Sequence, residues 1–291
     1  MSRGQNRRHI AAVGMFDGVH RGHAYLLDSL RRDADRRDME PLVLTFARHP
    51  MSILRPDTAP ALLTSTGLRT QLIHSLGIAD VKVMDFGKGD FALTAAQFIE
   101  KIKSRYGADA LLMGFNNHIG SDRRTYADLI ADGYDITAAT PCPDIDASSS
   151  LIREQIHKAD FGKAEAMLGH RFTVRGTVVP GRRLGRTIGF PTANIQPEDA
   201  SQLLPPDGVY AVDAHIDGDT YRGMANIGTR PTVGGHHRTF EVHIIDFAGD
   251  IYGTSLDIDF ISRLRPERQF PSLEALTAQL ALDRTAALSA E

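Results

Sequence analysis

The sequence contains no tryptophan, a single cysteine and no long apolar run. The lone Cys142 has no partner for an internal disulfide, which indicates a reducing compartment. In the N-terminal segment MSRGQNRRHIAAVGMFDGVH, Asp17 and His20 keep the apolar run far shorter than a signal peptide or a membrane span requires. These absences predict a soluble, cytoplasmic protein without membrane contact.

Neither sign of charge dominates: 33 Lys and Arg residues stand against 36 Asp and Glu, a formal net charge of -3. A chain without a basic excess lacks the field that attracts nucleic acid regardless of base sequence. Aromatic residues make up only 7% of the chain, which is few for a sheet on which bases stack. A nucleic-acid-binding regulator is therefore the weaker alternative to an enzyme, and we expect no nucleic-acid partner.

The chain has 291 residues, enough for two domains, and its two halves differ in pattern. In the first half, short apolar runs alternate with segments of helical period. This order predicts a Rossmann-like α/β domain, in which helices cover a parallel sheet and ligands gather at the carboxyl ends of the strands. The predicted strands are HIAAVG, PLVLTF, DVKVMDF, DALLMGF and YDITAA, and the predicted helices are AYLLDSLRRDADRR, STGLRTQLIHSLG, TAAQFIEKIKSRYG and RRTYADLIADG.

From about Arg171 the pattern changes to β-rich segments separated by Gly, Pro and Asp, which predicts an antiparallel second domain. A helical connector, SSSLIREQIHKADFGKAEAMLG, precedes these segments, and SLEALTAQLALDRTAAL predicts a terminal helix. We place the division near residue 165, so that the domains cover residues 1–165 and 166–291. The predicted strands are RFTVRGTVV, GVYAVDAHI, TYRGMANIG, TFEVHIIDF and SLDIDFIS.

The segment GRRLGRTIGFPTAN places Gly181, Gly185 and Gly189 at a strict four-residue spacing. Bare glycines let a backbone approach closely and present its N–H groups to phosphates, although a series of turns in a barrel would have the same spacing. In an extended backbone, Thr192 and Asn194 point to one side. Their oxygens would suit a Mg²⁺ ion that bridges nucleotide phosphates.

The segment GMFDGVHRGHAYLL directly follows a predicted strand, and Gly22 and His23 open the next helix. The N-terminus of a helix that follows a strand favours the binding of phosphate. His20 and His23 would stabilise charge that develops there during a displacement reaction. Two alternatives remain: a metal site, which lacks a third strong ligand nearby, and a pair of histidines that only cap a turn.

The segment GRRLGRTIGFPTAN resembles the signature of the riboflavin kinase family, and GVYAV, ANIGTRPTV, EVHIIDFAGDIYG and RLRPERQFPSLEAL resemble the segments that follow it there. The resemblance implies a six-stranded β-barrel that transfers the γ-phosphate of ATP to the ribityl 5′-hydroxyl of riboflavin, giving FMN. It also implies that Thr192 and Asn194 hold Mg²⁺ and the phosphates. Glu241 would be the catalytic base, although an acid on an alternating strand is ordinarily a solvated residue. The family places three further residues near nucleotide or flavin, namely Asn226, Arg230 and Arg265; turn, cap or surface positions are the alternative for each.

The first half resembles the nucleotidyltransferase domain of bacterial bifunctional riboflavin kinase/FMN adenylyltransferases, through GMFDGVHRGH, TFARHP and SSSLIRE. This resemblance implies a reaction that joins FMN and ATP to give FAD and pyrophosphate, with His20 and His23 on the phosphates. It implies ATP or phosphate contacts at Gly14, Phe16, Gly22, Asn116, Ser149, Ser150 and Arg153.

The chain departs from the family pattern at several positions, namely Met15, Ala47, Arg48, Asn117, Ile119 and Ser150. Among these, Asn117 and Ile119 replace two aromatic residues, which predicts altered packing on the flavin. We expect a bifunctional enzyme that uses ATP and Mg²⁺ and handles riboflavin, FMN and FAD. The alternative is a monofunctional riboflavin kinase whose first domain holds a flavin or nucleotide without catalysis.

Overall fold

A computed structural model describes residues 8–140, 146–181, 184–232 and 235–291, with only the backbone described at 184, 230–232 and 235–237. Cys142 therefore lies outside the described residues. The chain divides into two compact units. The first unit consists of Met1–Pro60 and Thr66–Asp146, and the second consists of Ala61–Ser65 and Ala147–Glu291.

The first unit is a five-stranded parallel sheet covered by helices, as the alternating pattern predicted. Its strands are in the order β3-β2-β1-β4-β5, so that chain progression reverses direction between β1 and β4. In open sheets of this kind, the crevice at such a reversal is where ligands bind. The strands are β1 (His9–Val13), β2 (Glu40–Phe46), β3 (Asp80–Met84), β4 (Ala108–Met113) and β5 (Ile136–Ala138). The helices are α1 (Arg21–Arg36), α2 (Met51–Leu54), α3 (Thr66–Ser75), α4 (Ala95–Tyr106) and α5 (Tyr126–Ala131), with 3-10 turns at Pro56–Thr58 and Lys88–Ala92.

Both faces of this sheet are buried, because successive side chains of a strand point to opposite faces. On β1, Ile10 and Ala12 pack with residues of α1 and α3, whereas Ala11 packs with residues of α4. The continuous apolar character of the predicted strands follows from this two-sided burial. The loops at the ends of this sheet are therefore where ligand-contacting groups are expected.

The second unit contains a closed barrel of six antiparallel strands, in the order β10-β7-β6-β11-β8-β9. The predicted α/β plus β fold with a terminal helix is thus confirmed. The elements are α6 (Ser149–His157), α7 (Phe161–Leu168), β6 (Phe172–Val179), α8 (Leu184–Thr187), β7 (Ala193–Pro197), β8 (Gly208–Ile216), β9 (Asp219–Thr232), β10 (Gly235–Ile244), β11 (Ser255–Arg265) and α9 (Leu273–Leu288).

The predicted helical connector is two helices, because Ala159 between them adopts a left-handed φ of 55° and Asp160 caps the second helix. Both helices contribute to the core of the barrel unit, where Phe161 stacks on Phe260 with 5.5 Å between ring centroids. The compact units divide between residues 146 and 147, and our domain division near residue 165 stays a prediction.

The segment Ala61–Ser65 lies between α2 and α3 in the chain but belongs to the barrel unit. The Leu62 N–H donates to the Ser201 carbonyl at 2.8 Å, and the Leu203 N–H donates to the Leu62 carbonyl at 2.7 Å. Leu63 is buried within the barrel core. Nothing in the local sequence predicted this insertion.

Of the helices that the structure describes, none combines the length and apolarity that crossing a bilayer would take.

Candidate active sites

The loop that follows β1 has an unusual backbone. Phe16 and Val19 have φ values of 50° and 40°, and Gly18 between them has a φ of 80°. A β-branched residue in the left-handed region costs free energy, and such residues concentrate at functional sites. The loop delivers His20 to the N-cap of α1, where its Nδ1 accepts a hydrogen bond from the His23 N–H at 3.3 Å.

The two histidine rings stack on each other, with centroids 3.7 Å apart and planes 18° apart. Phe16 meets the His23 ring edge-on at 5.3 Å. Burial lowers the pKa of His20 to about 4, and burial together with the neighbouring His20 holds the pKa of His23 well below its usual value. Both imidazoles are therefore neutral near pH 7 and act there as hydrogen-bonding groups. The buried Nδ1 of His23 has no hydrogen-bond partner among the described residues, so a ligand oxygen at this point would satisfy it.

The other predicted residues of this unit lie at the same end of the sheet. Gly14 and Phe16 follow β1, Gly22 is in the first turn of α1, and Asn116 is exposed in the turn that follows β4. Because β1 and β4 are neighbours at the reversal of strand order, these positions share one crevice.

A cavity of about 320 Å³ opens at this edge, a size typical of ligand sites. Val13, Leu26 and Gly114 line it from β1, α1 and the loop after β4. Sequence reasoning missed its aromatic wall, although Phe86 follows the carboxyl end of β3, where ligands were expected. The aromatic lining residues are Phe46, Phe86, Phe91 and Phe98, and the substituted positions Asn117 and Ile119 line the cavity as well.

Three predicted ATP-binding residues, Ser149, Ser150 and Arg153, lie on α6, which belongs to the barrel unit. Ser148 caps this helix by accepting from the Leu151 N–H at 3.3 Å. The Arg153 Nε donates to the Ala61 carbonyl at 2.6 Å. The roles of these three residues stay predictions.

In the barrel unit, the predicted metal ligand Asn194 and the predicted base Glu241 stand directly opposite each other on β7 and β10. Glu241 is in turn opposite Asn226 on β9. The neighbours Phe240 and Val242 point into the barrel core, so all three polar side chains lie on the outer face of the wall. The Thr192 hydroxyl donates to the Glu241 carboxylate at 3.2 Å. Four predicted residues are thus brought together.

The glycine loop packs against this cluster. A Cβ on Gly181 would lie 2.0 Å from the Asn194 Nδ2, and a Cβ on Gly185 would lie 2.1 Å from the Phe190 carbonyl oxygen. Only a glycine backbone permits either approach. Gly189 occupies a turn with a φ of 80°. Gly181 therefore serves close approach to the Asn194 side chain, whereas Gly185 and Gly189 serve the turns that follow it.

Two further contacts shape this site. The His243 Nδ1 donates to the Pro191 carbonyl at 2.7 Å, which holds the segment before Thr192 on β10. A cavity of about 370 Å³ lies beside Thr192 and Arg186. Its apolar lining residues, which the sequence analysis did not select, include Val178, Phe247, Ile251 and Tyr252.

Arg265 forms an ion pair with the buried Asp283 of α9, with nitrogen–oxygen distances of 2.8 and 3.0 Å. Its guanidinium also lies 5.5 Å from the centre of the Phe270 ring. The structure therefore gives Arg265 a clear partner within the protein, and its ligand-binding role stays a prediction. The side chain of Arg230 lies outside the described residues.

Comparison with known proteins assigns both halves. A riboflavin kinase family model matches residues 168–290, and an FAD synthetase family model matches residues 2–140. The chain is 36% identical to a bifunctional riboflavin kinase/FMN adenylyltransferase of Pseudomonas fluorescens, over 98% of this chain and 94% of that protein. A protein of the same description from Bacillus subtilis is 31% identical, over 98% and 93% of the two chains.

A solved structure shares the whole fold. It is a crystal structure from Streptococcus pneumoniae described as a macrolide-efflux protein, with a TM-score of 0.85 and 31% identity. The match covers 98% of this chain and 95% of that one.

Proposed function

The chain belongs to the bifunctional riboflavin kinase/FMN adenylyltransferase family, and from that premise we propose how its residues share the two reactions. The barrel unit phosphorylates riboflavin with ATP to give FMN, and the first unit adenylylates FMN with a second ATP to give FAD and pyrophosphate. The observation that carries the kinase assignment is the cluster of Thr192, Asn194 and Glu241 against a glycine loop.

Thr192 and Asn194 would hold Mg²⁺, and their donor atoms fit that ion. A hydroxyl and an amide oxygen are hard ligands, and Mg²⁺ commonly takes one or two protein oxygens and fills its remaining positions with water and phosphate. Bound there, the ion would neutralise phosphate charge. Within the described residues no group of three His, Cys, Asp or Glu side chains is placed to hold a metal ion.

Glu241 would accept the proton of the ribityl 5′-hydroxyl as that oxygen bonds to the γ-phosphorus of ATP, the bond from this phosphorus to the bridging oxygen breaks, and ADP leaves. Phosphoryl transfer depends mainly on positioning and on stabilising charge, so one base next to the phosphate-binding residues is sufficient. The 3.2 Å contact between Thr192 and Glu241 supports this, because it keeps the base and the phosphate end within one cluster.

ATP would lie with its phosphates along the loop from Gly181 to Gly189. Its adenine would enter the cavity beside Thr192. The apolar walls of this cavity include Phe247 and Tyr252. Arg186 lines the same cavity and carries the positive charge that polyphosphate requires. Asn226 would complete the polar row that faces the flavin end of the site.

In the first unit, His20 and His23 would donate hydrogen bonds to the α-phosphate of ATP as the FMN phosphate displaces pyrophosphate. Neutral imidazoles suit this role, since each carries one N–H for a phosphate oxygen. The N-terminus of α1 adds backbone N–H groups through Gly22 and His23. On the strength of the family resemblance, we further propose that Ser149, Ser150 and Arg153 bind ATP. The single cysteine supports a cytoplasmic location.

The test is product analysis on the intact protein. With riboflavin, ATP and Mg²⁺, chromatography should show FMN first and FAD later, and supplied FMN with ATP should give FAD and pyrophosphate together. Formation of FMN alone, with no FAD or pyrophosphate from supplied FMN, would replace the proposal with a monofunctional kinase. Formation of neither would remove both assignments.

A further inference from the structure

The cavity of the first unit has an aromatic wall that does not come from the loop after β4. Phe86 is the central residue of this wall. Its ring centroid lies 5.2 Å from that of Phe46 and 4.9 Å from that of Phe91, and both pairs are edge-to-face. A third phenyl ring, that of Phe98, lies 6.4 Å from Phe86. Edge-to-face contacts of this kind fix the orientation of the rings. The segment after β3 therefore supplies a rigid apolar surface, where the loop after β4 carries Asn117 and Ile119 instead of aromatics.

The position of the cavity relates it to the phosphate-binding end. Leu26 lines the cavity and stands three residues after His23 on α1, so it lies on the same side of that helix, one turn further on. A substrate with its phosphate at His20 and His23 would direct its ring along this turn toward the phenylalanines. The cavity thus suits the flat ring system of the phosphorylated substrate.

One polar group on this wall is available to a ligand. The Asn117 N–H donates to the Gly114 carbonyl at 3.0 Å, and a Cβ on Gly114 would lie 3.1 Å from the Asn117 Nδ2. The tight turn therefore holds the carboxamide over the bare Gly114 at the cavity edge. Among the described residues this carboxamide has no hydrogen-bond partner, whereas the nearby Asp90 accepts from the Gly87 N–H and pairs with Lys101.

We propose that Asn117 is a specificity-determining residue of the adenylyltransferase, which reads the imide edge of the flavin pyrimidine ring while Phe86 and Phe91 pack against its ring system. The inference rests on the proposed function of the first unit. An imide presents an N–H between two carbonyl oxygens, and a carboxamide offers the matching acceptor and donors. Asn117 therefore gains a hydrogen-bonding role where the family pattern has an aromatic ring.

The experiment compares FMN with its N3-methyl analogue as substrates for FAD formation, at saturating ATP. Methylation removes the imide N–H but keeps the ring and the phosphate. Loss of one hydrogen bond to an acceptor that the bound flavin covers corresponds to roughly tenfold in kcat/KM. The wild-type protein should therefore prefer FMN about tenfold, and Asn117→Leu should reduce that preference to about twofold or less.

Two variants control for the shape of the pocket. Ile119→Leu alters the same loop without a polar change and should keep the wild-type preference. Phe91→Leu should raise the KM of both flavins by a similar factor, because it removes ring packing from each. The KM for ATP in FAD formation should stay unchanged in all three variants, which shows that the first unit of each variant is folded, and riboflavin phosphorylation shows the same for the barrel unit.

If FAD forms but the wild-type protein accepts both flavins equally, or Asn117→Leu keeps the preference, Asn117 does not read the imide edge and the inference is overturned. If FMN yields no FAD or pyrophosphate while the kinase turns over, the proposed function of the first unit fails and this inference fails with it.

Discussion

Replacing Glu241 with glutamine tests the proposed base most directly. Glutamine keeps the length of the side chain, and its carbonyl oxygen can still accept from the Thr192 hydroxyl, which now lies 3.2 Å from the carboxylate. Phe240 and Val242, which flank position 241 and point into the core, are untouched. The substitution should therefore leave the barrel wall intact while it removes the negative charge of the carboxylate and its capacity to take a proton.

The expected loss follows from that single change. General-base catalysis by a positioned side chain contributes roughly 10²–10⁴-fold, and a loss of 10² corresponds to about 2.7 kcal/mol in the activation free energy. We expect turnover in FMN formation to fall by roughly 10² or more, while the KM for ATP changes little. Steady-state rates with saturating riboflavin and MgATP measure both.

The matched control is Asp219→Asn, which removes an exposed carboxylate from the β8–β9 hairpin of the same barrel. This variant should retain full turnover. FAD formation from supplied FMN should be normal in both variants, because it uses the other unit. Near-normal FMN formation by Glu241→Gln would refute the proposal and return Glu241 to a solvated position on an alternating strand.

Three further predictions concern both units. Changing Thr192 and Asn194 together to alanine should abolish FMN formation while supplied FMN still becomes FAD, and chromatographic detection of kinase activity in that double mutant would overturn the metal assignment. Either His20→Ala or His23→Ala should slow adenylyl transfer by roughly 10² through a lost donor to the α-phosphate, with riboflavin phosphorylation unchanged; coupled assays of pyrophosphate and FMN check this, and an unaffected FAD rate would contradict it. The His20 pKa is lowered to about 4 from 6.5, so the unfolded chain binds the proton more readily and the free energy of unfolding should fall as pH drops from about 6.5 to 4. Denaturant titrations should show this fall in the wild type and a smaller one in His20→Asn, which keeps a capping side chain, and equal slopes would count against it.

The strands of both units could be predicted because each burial pattern has a distinct sequence signature. Apolar runs such as HIAAV indicate burial on two faces, and alternating segments such as TFEVHI indicate a wall with one wet face. The glycine loop and the histidine pair were also visible, because close backbone approach and a helix start each require particular residue types at fixed spacing.

Other features depend on contacts between residues distant in the chain, which no local pattern encodes. Phe86 becomes part of the cavity wall only in the folded sheet, where the pairing of β3 with β2 brings the Phe86 ring against Phe46. The pairing of Arg265 with Asp283 likewise requires α9 to pack on the barrel. A sequence motif can therefore predict that an arginine binds a ligand, although in the folded protein that arginine pairs with a carboxylate of the same chain.

The inserted segment Ala61–Ser65 has a consequence for the order in which the chain folds. The Gln202 side chain donates to the Leu63 carbonyl across 139 residues of sequence, so Leu63 is synthesised long before its partners. Domains generally fold from the N-terminus during synthesis, and contacts of large sequence separation form late because loop closure is costly. The first unit can form its sheet before the barrel strands are synthesised, and until then the apolar side chain of Leu63, between α2 and α3, is not buried. Barrel closure is then the event that removes this side chain from water, which ties the last folding step of the second unit to a segment made with the first.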